Sequence, residues 1–281
     1  MTFLRHFYDA DTFLQDALYF TYMTLSPLAD QTKTPFWTRF CLWCLICVHV
    51  LSGALTLLFL FPLIGPEQRR AHIQRWSLRL LKIFGIQLNV LNAHILPKYS
   101  YLLASNHISW IDIHAINAFK PIRFVAKSEV ASWPIFGWMA KQLGTVFIRR
   151  DSSRHARQVV GIIASVLASE SVCIFPEGTS TIGKEVLPFK PNLFESAINA
   201  NVEVYSLAIR YRSQATGLLS DSAAFIGDMG LLESMSKILK DPKLIVELIF
   251  LPPMSNQPML QDRKSLALHC QGLIAQQLKR F

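Results

Sequence analysis

Five cysteines in 281 residues provide no disulfide framework, so no stapled scaffold is expected. Cys41, Cys44 and Cys47 recur every third residue inside an apolar run and read as small hydrophobes. Cys173 falls in a predicted buried strand and Cys270 in the last predicted helix. The soluble part also lacks paired Cys-x-x-Cys units and a histidine cluster, so no metal site is predicted. His114 stands two residues after Asp112, close enough in sequence to join His107, without changing that expectation. No Gly-x-Ser-x-Gly elbow occurs, and chemistry through a seryl intermediate has no residue to carry it. Internal repeats, low-complexity tracts and nucleic-acid-binding modules are missing too. A net charge of +9 and a pI near 9.4 therefore fit an acidic membrane surface better than nucleic acid.

What is present begins with Cys41 to Ile64, 24 residues without a formal charge. About 20 apolar residues suffice to cross a bilayer. Pro62 near the end equally permits a kinked hairpin in one leaflet, and a buried or interfacial helix is the plainer alternative. The run is not a signal peptide, because it starts late and lacks a basic opening and a small-x-small cleavage site. Asp9, Asp11, Asp16 and Asp30 precede it, whereas Arg69, Arg70, Arg75, Arg79 and Lys82 follow it. If the run spans, that asymmetry keeps the C-terminal portion on the cytoplasmic side. Arg75, Arg79 and Lys82 recur at helical spacing, with Ile73, Trp76, Leu80 and Ile83 on another face. This suits a helix resting on anionic headgroups or one packed on the core.

Downstream, strands are predicted near 87–91, 101–105, 123–126, 146–148, 172–175, 204–209 and 244–251. Helices are predicted near 110–118, 135–143, 153–168, 192–199 and 261–278. The alternation predicts an α/β domain with a mostly parallel sheet flanked by helices and reactive residues at strand-end loops. The chain divides into a membrane-embedded, membrane-associated helical region, 1–85, and an α/β domain, 86–281. Trp133, Phe136 and Trp138 beside Pro134 read as core aromatics, with an interfacial rim as the alternative.

Two segments carry chemistry. In Asn106-His107-Ile108-Ser109-Trp110-Ile111-Asp112, five residues of helix would rotate by about 500°, so His107 and Asp112 cannot share a helical face. They meet only if His107 occupies the turn before a helix containing Asp112, and Ser109-x-x-Asp112 reads as a capping-box variant opening that helix. The carboxylate can then accept from one imidazole nitrogen and leave the other to take a proton from a hydroxyl. Phe175-Pro176-Glu177-Gly178-Thr179 follows an apolar run and reads as a strand ending in a tight turn. Gly178 there permits close backbone approach, and exposed amides with a Thr hydroxyl suit an anionic or polyol ligand.

Taken with Gly144-Thr145-Val146-Phe147-Ile148-Arg149-Arg150 and the strand Val204 to Ile209, these segments resemble the four ordered blocks of the glycerolipid acyltransferase family, which includes the 1-acylglycerol-3-phosphate O-acyltransferases. The resemblance covers roughly Tyr101 to Arg210. It implies His107 as general base, Asp112 as the group fixing its tautomer, and direct attack of a lysolipid hydroxyl on a fatty acyl thioester. Arg150, Glu177, Gly178 and Thr179 would hold the acceptor head, with Glu177 bonding a hydroxyl or orienting Arg150. Lys127 stands either as a charge stabiliser near the thioester or as a solvated loop lysine. No cofactor is implied. The donor is acyl-CoA or acyl carrier protein. On charge alone, Arg154 and Arg157 read either as a dock for an acidic phosphopantetheine carrier or as a solvent-facing helix surface. The setting is a bilayer, with the catalytic domain facing the cytoplasm.

The chain departs from the commonest pattern in one place. Ser180 and Thr181 stand where most glycerol-3-phosphate-type members carry an arginine directly after Glu-Gly-Thr, which removes one anchor for phosphate. Glu177 to Gly183, with Leu187-Pro188-Phe189-Lys190 and the stretch Phe225 to Met229, instead resembles members that acylate lyso-ornithine lipid or other lysolipids. Family frequency keeps lysophosphatidate first. A membrane-bound thioesterase and a non-catalytic lipid-binding protein are the rivals from other classes.

Overall fold

A computed structural model describes residues 34–149, 153–241, 243–253 and 262–280, the side chains of 153–156 excepted. Arg150, Arg154 and the acidic residues before position 34 lie outside them.

Helix α1, Phe36–Leu55, runs on through a π-helical turn and a 3-10 turn to Leu63, where Pro62 ends it. Gly65 then reverses the chain, and Pro66 opens α2, Pro66–Ile83, at a position where a missing N–H costs nothing. The helix from Phe36 to Leu63 has the length and composition to cross a membrane. Yet its surroundings differ along its two sides. Leu42, Leu45, Ile46, Val50 and Leu57 are buried in the main core, whereas Trp37, Phe40, Leu51, Leu55, Leu58 and Phe59 are exposed. The three cysteines of this segment lie exposed on the outer side. Packing thus crosses the boundary drawn at residues 85 and 86. The helices meet closely at Gly53, where any Cβ would lie 2.5 Å from Trp76 Nε1. His49 Nε2 bonds Trp76 O and Trp76 Nε1 donates to His49 O, both at 3.1 Å, with the two rings stacked.

Every expected strand is present: β1 Ile86–Leu91, β2 Leu102–Ser105, β3 Arg123–Lys127, β4 Val146–Ile148, β5 Val172–Ile174, β6 Val204–Ser213 and β7 Leu244–Leu251. They form one sheet in the order β1-β7-β6-β2-β5-β3-β4, parallel except between β6 and β7. Side chains alternate across it with the strand period of two. Leu103, Cys173, Leu207 and Ile209 face one core with α1, α2 and the helix α3, Ile111–Phe119. Leu102, Val172, Ile174 and Ala208 face the other. There they meet α5, Ser153–Leu167, α6, Glu195–Ala200, and α8, Arg263–Lys279, α4 being Phe136–Gln142. Burial on both faces is why the central strands β2, β5, β6 and β7 read as near-continuous apolar runs.

Two departures concern helices. The segment expected as a helix over 192–199 begins as a 3-10 turn, Pro191–Phe194, and becomes α6 only at Glu195. Helix α7, Leu231–Lys240, was not anticipated. It opens after Gly230 and buries Met235, Ile238 and Leu239, which with Leu231 recur at helical spacing, a pattern that was present in the sequence and overlooked.

Helix α3 lies antiparallel to α2: Gln74 Nε2 donates to Phe119 O at 2.7 Å, and Phe84 meets Trp110 edge-on at 5.5 Å. The β2–α3 turn therefore emerges at the carboxyl edge of the parallel strands, beside the end of β5. In open α/β sheets this edge is where ligands bind.

Candidate active site

The turn from β2 into α3 is held before any functional side chain is placed. Asn106 is fully buried and copies a strand pairing with its amide: Nδ2 donates to Ile209 O at 2.9 Å, and Ile209 N donates to Asn106 Oδ1 at 2.8 Å. This extends the β2–β6 ladder one residue beyond Ser105 and fixes where His107 begins. The backbone N–H of His107 donates to Glu177 Oε1 at 2.7 Å, and Thr181 N donates to His107 O at 2.9 Å. The β5 loop thus clamps both main-chain groups of the histidine.

His107 Nδ1 lies 2.9 Å from Asp112 Oδ2. The same oxygen accepts from Ile108 N at 2.8 Å and Ser109 N at 2.9 Å, while Oδ1 accepts from Tyr211 Oη at 2.6 Å. Asp112 near the start of α3 thus reaches back to main-chain amides, which is half of a capping box. The other half is absent, since the buried Ser109 hydroxyl has no partner. With Asp112 accepting at Nδ1, the imidazole is the tautomer that leaves Nε2 unprotonated. Its ring stacks on Phe175 at 4.1 Å, and Phe175 stacks on Phe124 at 6.2 Å. The His107 side chain keeps 21% of its surface accessible while Asp112 keeps none. One ring edge is therefore open to a reactant and the carboxylate is sealed from water.

Glu177 is engaged by the main chain. Its oxygens accept from His107 N and from Leu187 N, the latter at 2.9 Å, and it is 3% exposed. It braces the loop, and Arg150 lies outside the described residues. Burial raises the pKa of this carboxyl, and the two amides oppose that shift. Burial likewise pushes the Tyr211 hydroxyl well above its ordinary value, aided by the Asp112 charge. Tyr211 therefore stays protonated and donates.

Gly178 turns the chain with φ +74°, a conformation that favours glycine. Thr179 is exposed beside it. Ser180 Oγ is spent on Phe225 O, tying the β5 loop to the loop after β6. Lys127 ends β3 in an exposed position on the same sheet edge, separated from β2 by β5. Sequence reasoning missed Tyr211 and Leu187. Among the described residues no group of three or more His, Cys, Asp or Glu could hold a metal ion.

Beside the site, without including His107 or Asp112, lies a cavity of about 570 Å³. It follows α3 from Trp110 at the catalytic edge to Lys120 at the opposite edge, walled by Gly53, Trp76, Ile113 and Met139. Phe124 lines it, so one ring stack, Phe124 on Phe175, separates the cavity from the imidazole.

A carboxylate-held imidazole thus lies at the carboxyl edge of a doubly covered sheet, beside an apolar cavity. Residues 87–210 match the acyltransferase family model, which gives the class of enzyme. The chain is 36% identical over 207 residues to the lyso-ornithine lipid O-acyltransferase of Pseudomonas aeruginosa, covering 73% of this chain and 78% of that protein. It is 34% identical over 186 residues to the 1-acyl-sn-glycerol-3-phosphate acyltransferase of Neisseria meningitidis, covering 66% and 72%. Its fold is similar to that of the 1-acyl-sn-glycerophosphate acyltransferase PlsC of Thermotoga maritima, with TM-score 0.64 and 18% identity over 85% of this chain and 92% of that one. The chain belongs to the acyltransferase family and is an acyltransferase enzyme.

Tyr211→Phe removes one donor to a buried carboxylate, which is expected to cost about 1.5–3 kcal/mol in unfolding measurements. It is also expected to lower kcat about tenfold with KM for the acyl donor unchanged. An unaltered kcat would remove Tyr211 from the positioning of Asp112.

Proposed function

We propose that this protein is a membrane-bound lysolipid O-acyltransferase that moves a fatty acyl group from a thioester, acyl-CoA or acyl carrier protein, to a free lipid hydroxyl. The observation that carries the reading is His107, held through Nδ1 by a four-donor Asp112 with its other edge open. Nε2 takes the hydroxyl proton as the oxygen attacks the thioester carbonyl. The tetrahedral intermediate collapses, the C–S bond breaks, and the departing thiolate recovers the proton from the imidazolium. Asp112 remains ionised and stabilises the transient charge on the ring. No covalent enzyme intermediate is needed. In this reading Lys127 and Arg150 add positive charge near the reacting groups, and Gly178 and Thr179 line the acceptor's head.

The cavity along α3 fits an acyl chain. From Trp110 to Lys120 the helix rises about 15 Å, and the cavity begins one ring stack from the imidazole. Membrane attachment follows from the exposed apolar stripe of α1, with the catalytic domain on the cytoplasmic side.

Two acceptors are carried. Lysophosphatidate is favoured by family frequency and by relatives such as the Neisseria enzyme. Lyso-ornithine lipid is favoured by a specific feature, the absence of a cation after Thr179. Ser180 stands there, and its hydroxyl is already committed to Phe225 O, so it offers nothing to a phosphomonoester. We place lyso-ornithine lipid first on that ground. The lyso-ornithine lipid O-acyltransferase of Rhizobium meliloti, 30% identical over 87% of this chain and 86% of that protein, supports the choice.

His107→Ala is expected to abolish transfer while vesicle association persists; turnover equal to the parent would sink the mechanism. A panel of lysolipid acceptors with one donor is expected to rank lyso-ornithine lipid above lysophosphatidate, and the opposite order would reverse the acceptor assignment alone. Thioester loss that is fast and indifferent to acceptor would make the protein a thioesterase. Met139→Trp, which fills the cavity, is expected to shift preference toward shorter acyl donors. An unchanged chain-length profile would place the acyl chain elsewhere.

A further inference from the structure

Three loops at the catalytic edge each present an aliphatic side chain to solvent beside the His107 turn: Ile135 after β3, Ile182 after β5 and Ile226 after β6. They are tied to that turn and to one another. Thr181 N donates to His107 O and Phe225 N donates to Ile108 O, each at 2.9 Å. Trp133 meets Phe225 edge-on at 6.3 Å.

Ile135 is the most exposed of the three, at 55%, and its backbone is unusual. It sits at φ +61° and ψ −58°, in a γ-turn closed by Phe136 N donating to Pro134 O at 2.6 Å. Turns of this hand are rare and strained, and a β-branched residue is among the least suited to positive φ. Both flanks enforce the conformation. A Cβ at Gly137 would lie 2.4 Å from Ala131 O, so the chain after the tip is pressed against the turn before it. Trp133 lines the cavity, and Met139 is buried where α4 meets α1, with its Cε 3.1 Å from any Cβ at Gly53. Glycine or asparagine at position 135 would relieve the strain and suit water. The chain instead carries a large apolar side chain there. The neighbouring aromatics do not share this role, since Phe136 and Trp138 are partly buried against the core.

We propose that the Pro134–Ile135 tip is a lipid-inserting wedge, seating Ile135 among the acyl chains of the bilayer so that the catalytic mouth opens directly onto lipid. The inference rests on the membrane-bound acyltransferase reading. The bilayer is the occupant argued for because the tip leads straight into α4, which packs on α1 at Gly53. The tip is thus joined through α4 to the helix that bears the exposed apolar stripe.

Ile135→Gly and Ile135→Asn separate the wedge from a packing role. Both are expected to melt at or above the parent temperature in detergent, because each accepts positive φ. Transfer to an acceptor embedded in vesicles is expected to fall about tenfold, the loss of one buried aliphatic side chain. Transfer to a short-chain acceptor below its micellar concentration is expected to stay unchanged. An undiminished vesicle rate overturns the wedge. Equal loss on both acceptors overturns it too, by placing Ile135 in the cleft. A loss confined to acyl carrier protein donors assigns the tip to a protein partner instead. Should the parent show no transfer to either acceptor, the acyltransferase reading fails and hydrogen exchange still decides insertion. The amides of Trp133, Ile135, Phe136 and Gly137 of the parent are expected to slow on vesicles, those of Ile135→Gly are not, and unchanged exchange in the parent overturns the proposal.

Discussion

The whole site depends on one sealed carboxylate. Asp112 has lost all contact with water, and a buried charge survives only when its hydrogen bonds are made. Four donors converge on it: the imidazole, two main-chain amides of its own helix start, and a tyrosine hydroxyl from β6. Each comes from a different constraint. The amides require α3 to begin where it does, the tyrosine requires the β2–β6 register, and the imidazole requires the clamp on His107 by the β5 loop. A shift of one residue in any of the three would strand a charge in the core.

How much of this was legible follows from sequence distance. All seven strands were readable; in β2, β5, β6 and β7 burial on both faces leaves an apolar run, and β1 and β3 were found from their apolar positions between turns. The pairing of His107 with Asp112 was readable because five residues of separation admit only a turn followed by a helix. Tyr211 lies 99 residues from Asp112, and its position depends on strand register, which local patterns do not encode. Glu177 was visible as an unusual carboxylate after a strand, and its bracing of the loop was not. Sequence shows that the group is polar; only the fold shows that both oxygens point at amides. Helix α7 was legible in the spacing of Leu231, Met235, Ile238 and Leu239 and was passed over. At position 135 the local rules fail outright, since nothing in Pro134-Ile135-Phe136 announces a positive φ.

Such a failure of local rules is informative in itself. Elsewhere among the described residues positive φ falls on glycines such as Gly178 and on Asn92 and Asn201, with Lys243 the one further exception, and Lys243 is not β-branched. An isoleucine held in that region is stable only because both neighbours are fixed by packing, so the surrounding fold has been arranged around an apolar tip.

The brace supplied by Glu177 has an evolutionary corollary. It secures the β5 loop through main-chain amides, which every amino acid except proline possesses. The exposed Thr179 just beyond it carries none of that duty, so its side chain can vary without disturbing the contact of His107 with Asp112. A lineage could change that one position while the loop that clamps the histidine is inherited intact.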